Sequence, residues 1–264
     1  MEKYAEGCFV QGRIENLLPK RLKAAADMIP FYDTVCDIGC DHGYLSIYLL
    51  QQKKAHHMIA MDVNRGPLER AAENARLFGM EERMELRLSD GLKKVSPGEA
   101  DFFVCAGMGG KLVMKIMSDH PRVTASMKGA LLQPQSDIGA VRRFVYELGW
   151  HIEQEDIVFE QDGGGRKTGK YYPLFLAVPG REETPSEEEL AYGSLEKQRN
   201  PGILQDFLHY QMKIKCEAQA EVQNSTAERA RERFIQLKIE IEEIETVLLQ
   251  ISKVSRENGG SFAE

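Results

Sequence analysis

The sequence has few of the features that mark secreted or membrane proteins. Its five cysteines form an odd, scattered set, which is not typical of a disulfide framework and favours a reducing, cytoplasmic location. No apolar run approaches the roughly 20 residues of a membrane helix. The first residues are partly acidic and lack the basic and then apolar segments of a secretory leader. We therefore expect a cytoplasmic protein without membrane contact.

The sequence also lacks cysteine and histidine pairs at the spacing of a metal site. Cys36 and Cys40 are four residues apart, but Cys36 falls inside a predicted strand and no second ligand pair at zinc spacing lies nearby. A Cys–His nucleophile is not supported either, because no acyl- or oxyanion-type motif accompanies it. We expect no metal, and interpret Cys36, Cys40 and Cys105 as small apolar residues of the core.

An excess of positive charge is absent from the chain as a whole, whose net charge is −7. The distribution is uneven, however. Residues 1–180 hold 23 Lys and Arg against 24 Asp and Glu, a net of −1, whereas residues 181–264 hold 11 against 17, a net of −6. The first part of the chain could therefore still present a basic face to a nucleic acid.

Apolar strands alternate with helical patterns through residues 34–180. Strands are predicted at 34–39, 56–63, 84–90, 101–107 and 129–135, with helices between them, and residues 151–180 favour an antiparallel pair. Short connections between strand and helix predict βαβ units and a largely parallel sheet. An amphipathic helix over 13–30 precedes them, with Lys20 and Arg21 on its polar face.

The composition changes after Gly180, where a polar, acidic stretch begins. We place a domain boundary near residue 185, between a domain of residues 1–185 and a helical domain of residues 186–264. Apolar residues then recur every seven positions in two series: Ala227, Phe234, Ile241 and Leu248, and Ala230, Leu237, Ile244 and Ile251. This is a coiled-coil seam. It pairs either with an upstream apolar stripe at 203–218, forming a hairpin with a turn at 223–226, or between chains, so monomer and dimer both stay open.

The residues suited to binding a ligand lie at the ends of the predicted strands. Asp-Ile-Gly-Cys-Asp-His-Gly at 37–43 follows the first strand, and its glycines allow a tight turn and a close approach of the backbone to a ligand. The flanking carboxylates of Asp37 and Asp41 disfavour a pyrophosphate and suit a cationic ligand such as S-adenosylmethionine. Asp62 ends the second strand, where an acidic residue commonly binds ribose hydroxyls. Ser89–Gly91 and Ala106–Gly110 end the third and fourth. This order is typical of a class I, Rossmann-like methyltransferase.

The methyl acceptor is indicated by a missing motif. Enzymes that methylate exocyclic amino groups of bases usually carry Asn/Asp-Pro-Pro-aromatic after the fourth strand, whereas this chain has Gly107–Met108–Gly109–Gly110. Ring nitrogen-1 of adenine has an available lone pair and needs no proton removed before attack. Positioning could then supply most of the catalysis, and a carboxylate such as Asp41 could stabilise the cationic product.

Five segments together resemble the TrmK family of bacterial tRNA methyltransferases, which modify nitrogen-1 of adenosine 22: residues 37–45, 66–67, 89–92, 106–112 and 132–137. The resemblance runs from about Leu18 to the end and implies a Rossmann-like catalytic sheet with a C-terminal helical coiled-coil hairpin, S-adenosylmethionine as methyl donor and tRNA as substrate. Gln133–Pro134–Gln135 departs from the Gln-Pro-Asn expected in the family.

The resemblance and the strand ends together name the candidate site. The residues expected to hold the cofactor are Asp37, Gly39, Cys40, Gly43, Asp62, Val63, Asp90, Gly91, Gly107, Met108 and Gly109. The residues expected at the reaction centre are Asp41 and His42; His42 serves either as an acid or base or in packing and cofactor binding. Candidate substrate contacts are Lys20, Arg21, Gln133, Arg142, Arg166 and Lys167.

Two other functions stay open at this point. The chain could be a class I methyltransferase that acts on rRNA or on a small molecule. It could also be a non-catalytic adaptor that binds the cofactor and recruits partners through its coiled coil.

Overall fold

A computed structural model of the protein describes residues 14–161, 169–223 and 227–257; for residues 254–257 it describes the backbone alone. Its strands are β1 (Tyr32–Ile38), β2 (Ala55–Asp62), β3 (Met84–Leu88), β4 (Phe102–Met108), β5 (Gly129–Pro134), β6 (Trp150–Gln161) and β7 (Gly169–Pro179). Its α-helices are α1 (Lys20–Met28), α2 (Tyr44–Gln51), α3 (Arg65–Leu77), α4 (Gly110–Asp119), α5 (Pro121–Ser126), α6 (Ile138–Glu147), α7 (Glu187–Tyr192), α8 (Pro201–Val222) and α9 (Glu228–Glu257).

The strands form one sheet of seven in the order β3-β2-β1-β4-β5-β7-β6. β1 to β5 pair in parallel, and β7 pairs antiparallel with both β5 and β6. Ile38 lies opposite Met61 on one side and Cys105 on the other, so β1, β2 and β4 end side by side. The predicted α/β class with a Rossmann-like sheet is confirmed. Because ligands bind at the carboxyl ends of parallel strands, this edge is where a site is expected.

Each face of the sheet packs against its own layer of helices. Val35 and Val104 belong to one core, beneath α1, α2 and α3, whereas Cys36 and Cys105 belong to the other, beneath α4 and α6. Both cysteines are fully buried, and burial raises the pKa of each thiol to about 12. They are apolar core residues, as predicted, and not nucleophiles.

The C-terminal helices form a hairpin whose core also includes the sheet. α8 and α9 pack along each other, and Leu204 and Leu208 of α8 share a buried cluster with Ile244 and Ile251 of α9. Ile157 of β6 belongs to the same cluster, so the hairpin is anchored on the antiparallel edge. The predicted turn residues 224–226 lie outside the described residues. In the described parts of the chain, no helix has the length and apolar character needed to cross a membrane.

Candidate active site

The loop between β1 and α2 forms the centre of the site. The backbone N–H groups of Gly39 and Cys40 donate to the carbonyl of Met61 at 2.8 and 2.9 Å, which ties the loop to the end of β2. Gly39 and Gly43 both have φ near 72°, a left-handed conformation that favours glycine. A Cβ added at Gly39 would lie 2.4 Å from the terminal methyl of Met108. The glycines therefore let the loop turn tightly against β4.

A cavity of about 260 Å³ opens beside this loop. It is lined by Arg21, Leu22, Asp37, Gly39, Cys40, Asp41, His42, Tyr44, Leu45, Ala106, Gly107 and Gln135. These residues come from α1, the first loop, the end of β4 and the segment after β5. The structure thus brings together seven of the residues predicted from the sequence, in a concave space open to a ligand.

Asp37 is the buried acid of this cavity. Its side chain accepts a 2.6 Å hydrogen bond from the hydroxyl of Ser46, and Asp37 is only 4% exposed. Burial raises the pKa of Asp37 to about 6, with a smaller contribution from the neighbouring charge of Asp62. A carboxylate in such a place is stabilised by a bound cation.

Asp41 and His42 lie at the mouth of the cavity. Asp41 has φ 49° and is exposed. Its carboxylate lies 3.6 Å from Nε2 of His42 and 3.9 Å from the guanidinium of Arg70. The imidazole of His42 stacks on the ring of Tyr44, with centroids 5.5 Å apart. Tyr44, which the sequence did not single out, thus fixes the plane of the only histidine that lines this cavity among the described residues.

The ends of β2 and β3 lie along the same edge but outside the cavity. Asp62 accepts a hydrogen bond from the backbone N–H of Asn64 at 2.8 Å, which orients its carboxylate. Val63 and Asp90 are exposed, and Gly91 is buried. The carbonyl of Gly91 accepts from the hydroxyl of Ser89. These residues stand at strand ends in the predicted order, so an extended ligand could reach them from the cavity; direct contact stays a prediction.

The end of β4 is held by Gln133. The register of β4 and β5 shifts between Ala106 and Met108, and the side-chain oxygen of Gln133 accepts from the Gly107 N–H at 3.0 Å. Gln133 is fully buried, and its amide nitrogen has no hydrogen-bond partner in the described parts of the chain. The predicted substrate contact at Gln133 is therefore corrected: the amide that lines the cavity is Gln135.

Arg142 does not contribute to an RNA-binding face, and that prediction is wrong. Arg142 is 1% exposed; its guanidinium pairs with Glu155 at 2.9 Å and donates to the backbone carbonyls of Leu190 and Ala191. A guanidinium enclosed in this way cannot reach a phosphate. Its role is to join α6 to β6 through a buried ion pair and to α7 through hydrogen bonds to backbone carbonyls.

The other predicted substrate contacts have different settings. Lys20 is exposed at the start of α1. Arg21 lines the cavity, pairs with Glu160 at 2.8 Å and lies over the ring of Tyr172. Arg166 and Lys167 lie outside the described residues. Within the described ranges, no group of three or more His, Cys, Asp or Glu side chains is arranged to hold a metal ion.

Comparisons with known proteins agree with this geometry. The family described as "Methyltransferase domain" matches residues 18–164. The tRNA (adenine(22)-N(1))-methyltransferase of Bacillus subtilis is 31% identical over 166 residues, 63% of this chain and 67% of that protein. The chain spans about two thirds or less of the length of the curated relatives that it matches.

Solved structures share most of the fold. A protein of the NADB-Rossmann superfamily from Streptococcus agalactiae superposes with a TM-score of 0.76 at 27% identity, over 88% of this chain and 97% of that one. TrmK of M. capricolum, solved with S-adenosyl-homocysteine, superposes with a TM-score of 0.74 at 22% identity, over 89% and 99%. Each overlap is too long to be confined to the residues before α8, so it extends into the helical hairpin.

Proposed function

The chain belongs to the TrmK family of tRNA methyltransferases, and from that premise we propose that it transfers a methyl group from S-adenosylmethionine to ring nitrogen-1 of adenosine 22 in tRNA. The observation that carries the proposal is the cavity at the sheet edge. It combines a buried carboxylate, a close-packed glycine turn and, at its mouth, a histidine and an amide that could contact a planar base. A cytoplasmic location is consistent with a tRNA substrate and with the free thiols of Cys36, Cys40, Cys105 and Cys216.

The residues present fit the cofactor. When bound, S-adenosylmethionine supplies an electrophilic methyl group on a sulfonium. Asp37 carries the negative charge that pairs with the ammonium group of S-adenosylmethionine. Burial otherwise disfavours ionisation of this carboxyl. Gly39 lets the backbone approach the ligand because this residue carries no side chain. Asp62, at the end of β2, is placed to accept hydrogen bonds from ribose hydroxyls, and Asp90 from the adenine amino group.

The catalytic role of the chain is mainly positioning. Nitrogen-1 of adenine attacks through a lone pair, so no side chain has to remove a proton first. Holding the base in line with the methyl group supplies the rate enhancement. The base becomes cationic on methylation, and the carboxylate of Asp41 at the cavity mouth stabilises that charge. His42, stacked on Tyr44, and the amide of Gln135 hold the plane and the edge of the base.

Substrate RNA must present the base outside its stack. Arg21 and Leu22 of α1 line the cavity and the neighbouring Lys20 is exposed, so we assign this cation to a phosphate contact. Adenosine 22 is a position within folded tRNA, so the energy of unstacking has to be supplied by contacts on this face.

Methyl transfer from labelled S-adenosylmethionine to undermodified tRNA tests the proposal, followed by digestion to nucleosides. We expect the label in 1-methyladenosine. Label in rRNA alone would favour the broader methyltransferase alternative. Cofactor binding without transfer to any RNA or small-molecule pool would favour the adaptor.

A further inference from the structure

A second cavity lies next to the first, and Gln135 lines both. Its volume is about 370 Å³. It is lined by Pro134, Gln135, Ile138, Lys170, Tyr171, Tyr172, Pro173, Tyr210 and Gln211. β5, β7 and α8 therefore meet around a space that shares Gln135 with the candidate active site and that the methyl-transfer reaction does not itself require. We call it the aromatic cavity.

Aromatic rings give this cavity a rigid wall. The ring of Tyr171 lies 4.8 Å from Phe159, 5.6 Å from Phe207 and 5.1 Å from Tyr210, all at tilted angles. Phe207 is buried in the hairpin core, so Tyr171 is anchored from behind. Tyr210, in contrast, is 36% exposed. The wall thus presents an aromatic surface at little entropic cost, because packing has already fixed its rings.

Polar groups surround the rings. Lys170 is exposed at the start of β7, and the amides of Gln135 and Gln211 line the same space. Burial raises the pKa of the Tyr171 hydroxyl, and the negative charge of Asp206 on α8 adds to that shift. The cavity thus offers a ring surface for stacking, amides for hydrogen bonds and a cation for phosphate. Sites for single-stranded nucleic acid combine aromatic stacking with positive charge in the same way.

We propose that the aromatic cavity binds a second nucleobase of the RNA substrate, unstacked beside the adenosine that enters the active site. The inference rests on the proposed function, since it needs an RNA substrate. Extracting one base removes a stacking partner from its neighbours, and a second platform next to the active site offsets that loss. The shared residue Gln135 places the two bases side by side. A nucleobase is favoured over a peptide because this cavity shares Gln135 with the cavity proposed to hold the adenosine.

Tyr210 is the residue at which to test binding of the second base. Because Tyr210 is partly exposed, its substitution does not open the core. In the full-length protein, Tyr210→Ala should raise the Kd for undermodified tRNA by about tenfold, within the range of one lost stacking contact. Tyr210→Phe keeps the ring and should retain affinity. His209→Ala is the matched control, since His209 is the exposed neighbour on α8 and does not line the cavity.

A second readout separates binding from folding. The Kd for S-adenosylmethionine and the Tm should be the same in wild type and Tyr210→Ala, because Tyr210 lies outside the first cavity and the hairpin core. Wild-type tRNA affinity in Tyr210→Ala would overturn the inference, and so would an equal loss in His209→Ala. Failure of the wild type to form 1-methyladenosine would instead contradict the proposed function, and is scored independently of the affinities.

Discussion

The carboxylate of Asp37 accepts a 2.6 Å hydrogen bond from the hydroxyl of Ser46, and both residues are buried where β1 meets α2. Without a cation beside it, this arrangement makes the ionised form of Asp37 less favourable than in water, since burial raises its pKa to about 6 from an ordinary 3.8. The site is therefore destabilised at neutral pH until a cationic ligand enters. This is the usual conflict between a binding site and stability.

Replacing Asp37 with Asn should stabilise the ligand-free protein and weaken cofactor binding. With a raised folded pKa, the contribution of Asp37 to stability is full below pH 4 and is lost as pH rises through 6. At pH 7, Asp37→Asn should raise the free energy of unfolding by about 2–3 kcal/mol. Denaturant unfolding at pH 4 and pH 7 checks this, and an equal effect at both would contradict it.

The affinity for S-adenosylmethionine should depend on pH in the opposite direction from stability. Wild-type affinity should fall as pH drops through 6, because protonation removes the charge that pairs with the ammonium group. Asp37→Asn should bind at least about tenfold more weakly at pH 7.5 and lack this titration. Calorimetry across pH 5 to 8 compares the two proteins. His42 is present in both, so the difference isolates Asp37.

Asp62 offers a test of the ribose-binding role. Its carboxylate is half-buried, and one oxygen already accepts from the Asn64 backbone N–H. Asp62→Ala should raise the Kd for S-adenosylmethionine by about 10- to 100-fold, as hydrogen bonds to a charged group are lost. Asp119→Ala, an exposed carboxylate at the end of α4, is the control. Unchanged cofactor affinity in Asp62→Ala would show that the strand-end assignment is wrong.

The two glutamines at the end of β5 should separate stability from catalysis. Gln133→Ala removes a fully buried side chain and leaves the Gly107 N–H without its hydrogen-bond partner, and should lower the free energy of unfolding by about 1–3 kcal/mol. Gln135→Ala should leave unfolding unchanged and lower kcat for methyl transfer, because Gln135 is exposed and lines the cavity. Kinetics and denaturant unfolding of both variants check this. The reverse assignment of effects would refute the geometry.

Arg142 and Lys20 form another contrasting pair. Arg142→Ala leaves the carboxylate of Glu155 buried without its ion pair and should cost about 3–5 kcal/mol of stability. Lys20→Ala should preserve stability, weaken tRNA binding and lower the salt dependence of log Kd by about 0.7–0.9. Titrations of tRNA at several salt concentrations measure this. A salt slope that is the same in Lys20→Ala as in wild type would remove Lys20 from the interface.

The order of strands and helices could be predicted because it depends on local pattern. Parallel strands buried on both faces are short continuous apolar runs, and glycine and proline separate them from the helices. α7 was missed within an acidic stretch, although Ser186 and Glu189 form the capping box that marks a helix start. There the acidic composition concealed a local signal that was present.

The site could be predicted only in part, for a different reason. Residues of one loop, such as Asp37 and Gly39, were found because sequence neighbours stay together. Gln135 and Arg21 reach the same cavity from distant segments. Arg142 was assigned to the surface because its partner Glu155 lies on another element. A single sequence contains no signal for such a pairing, so burial of a charge by a tertiary contact required the structure.

The central claim is methylation of nitrogen-1 at adenosine 22, and mapping the product tests it most directly. Undermodified tRNA and a transcript with guanosine at position 22 are treated with the enzyme and S-adenosylmethionine, then copied by reverse transcription, which stops at a base whose pairing edge is methylated. We predict a new stop at position 22 in the first RNA and none in the second. A new stop elsewhere, or the same new stop in both RNAs, would contradict the account.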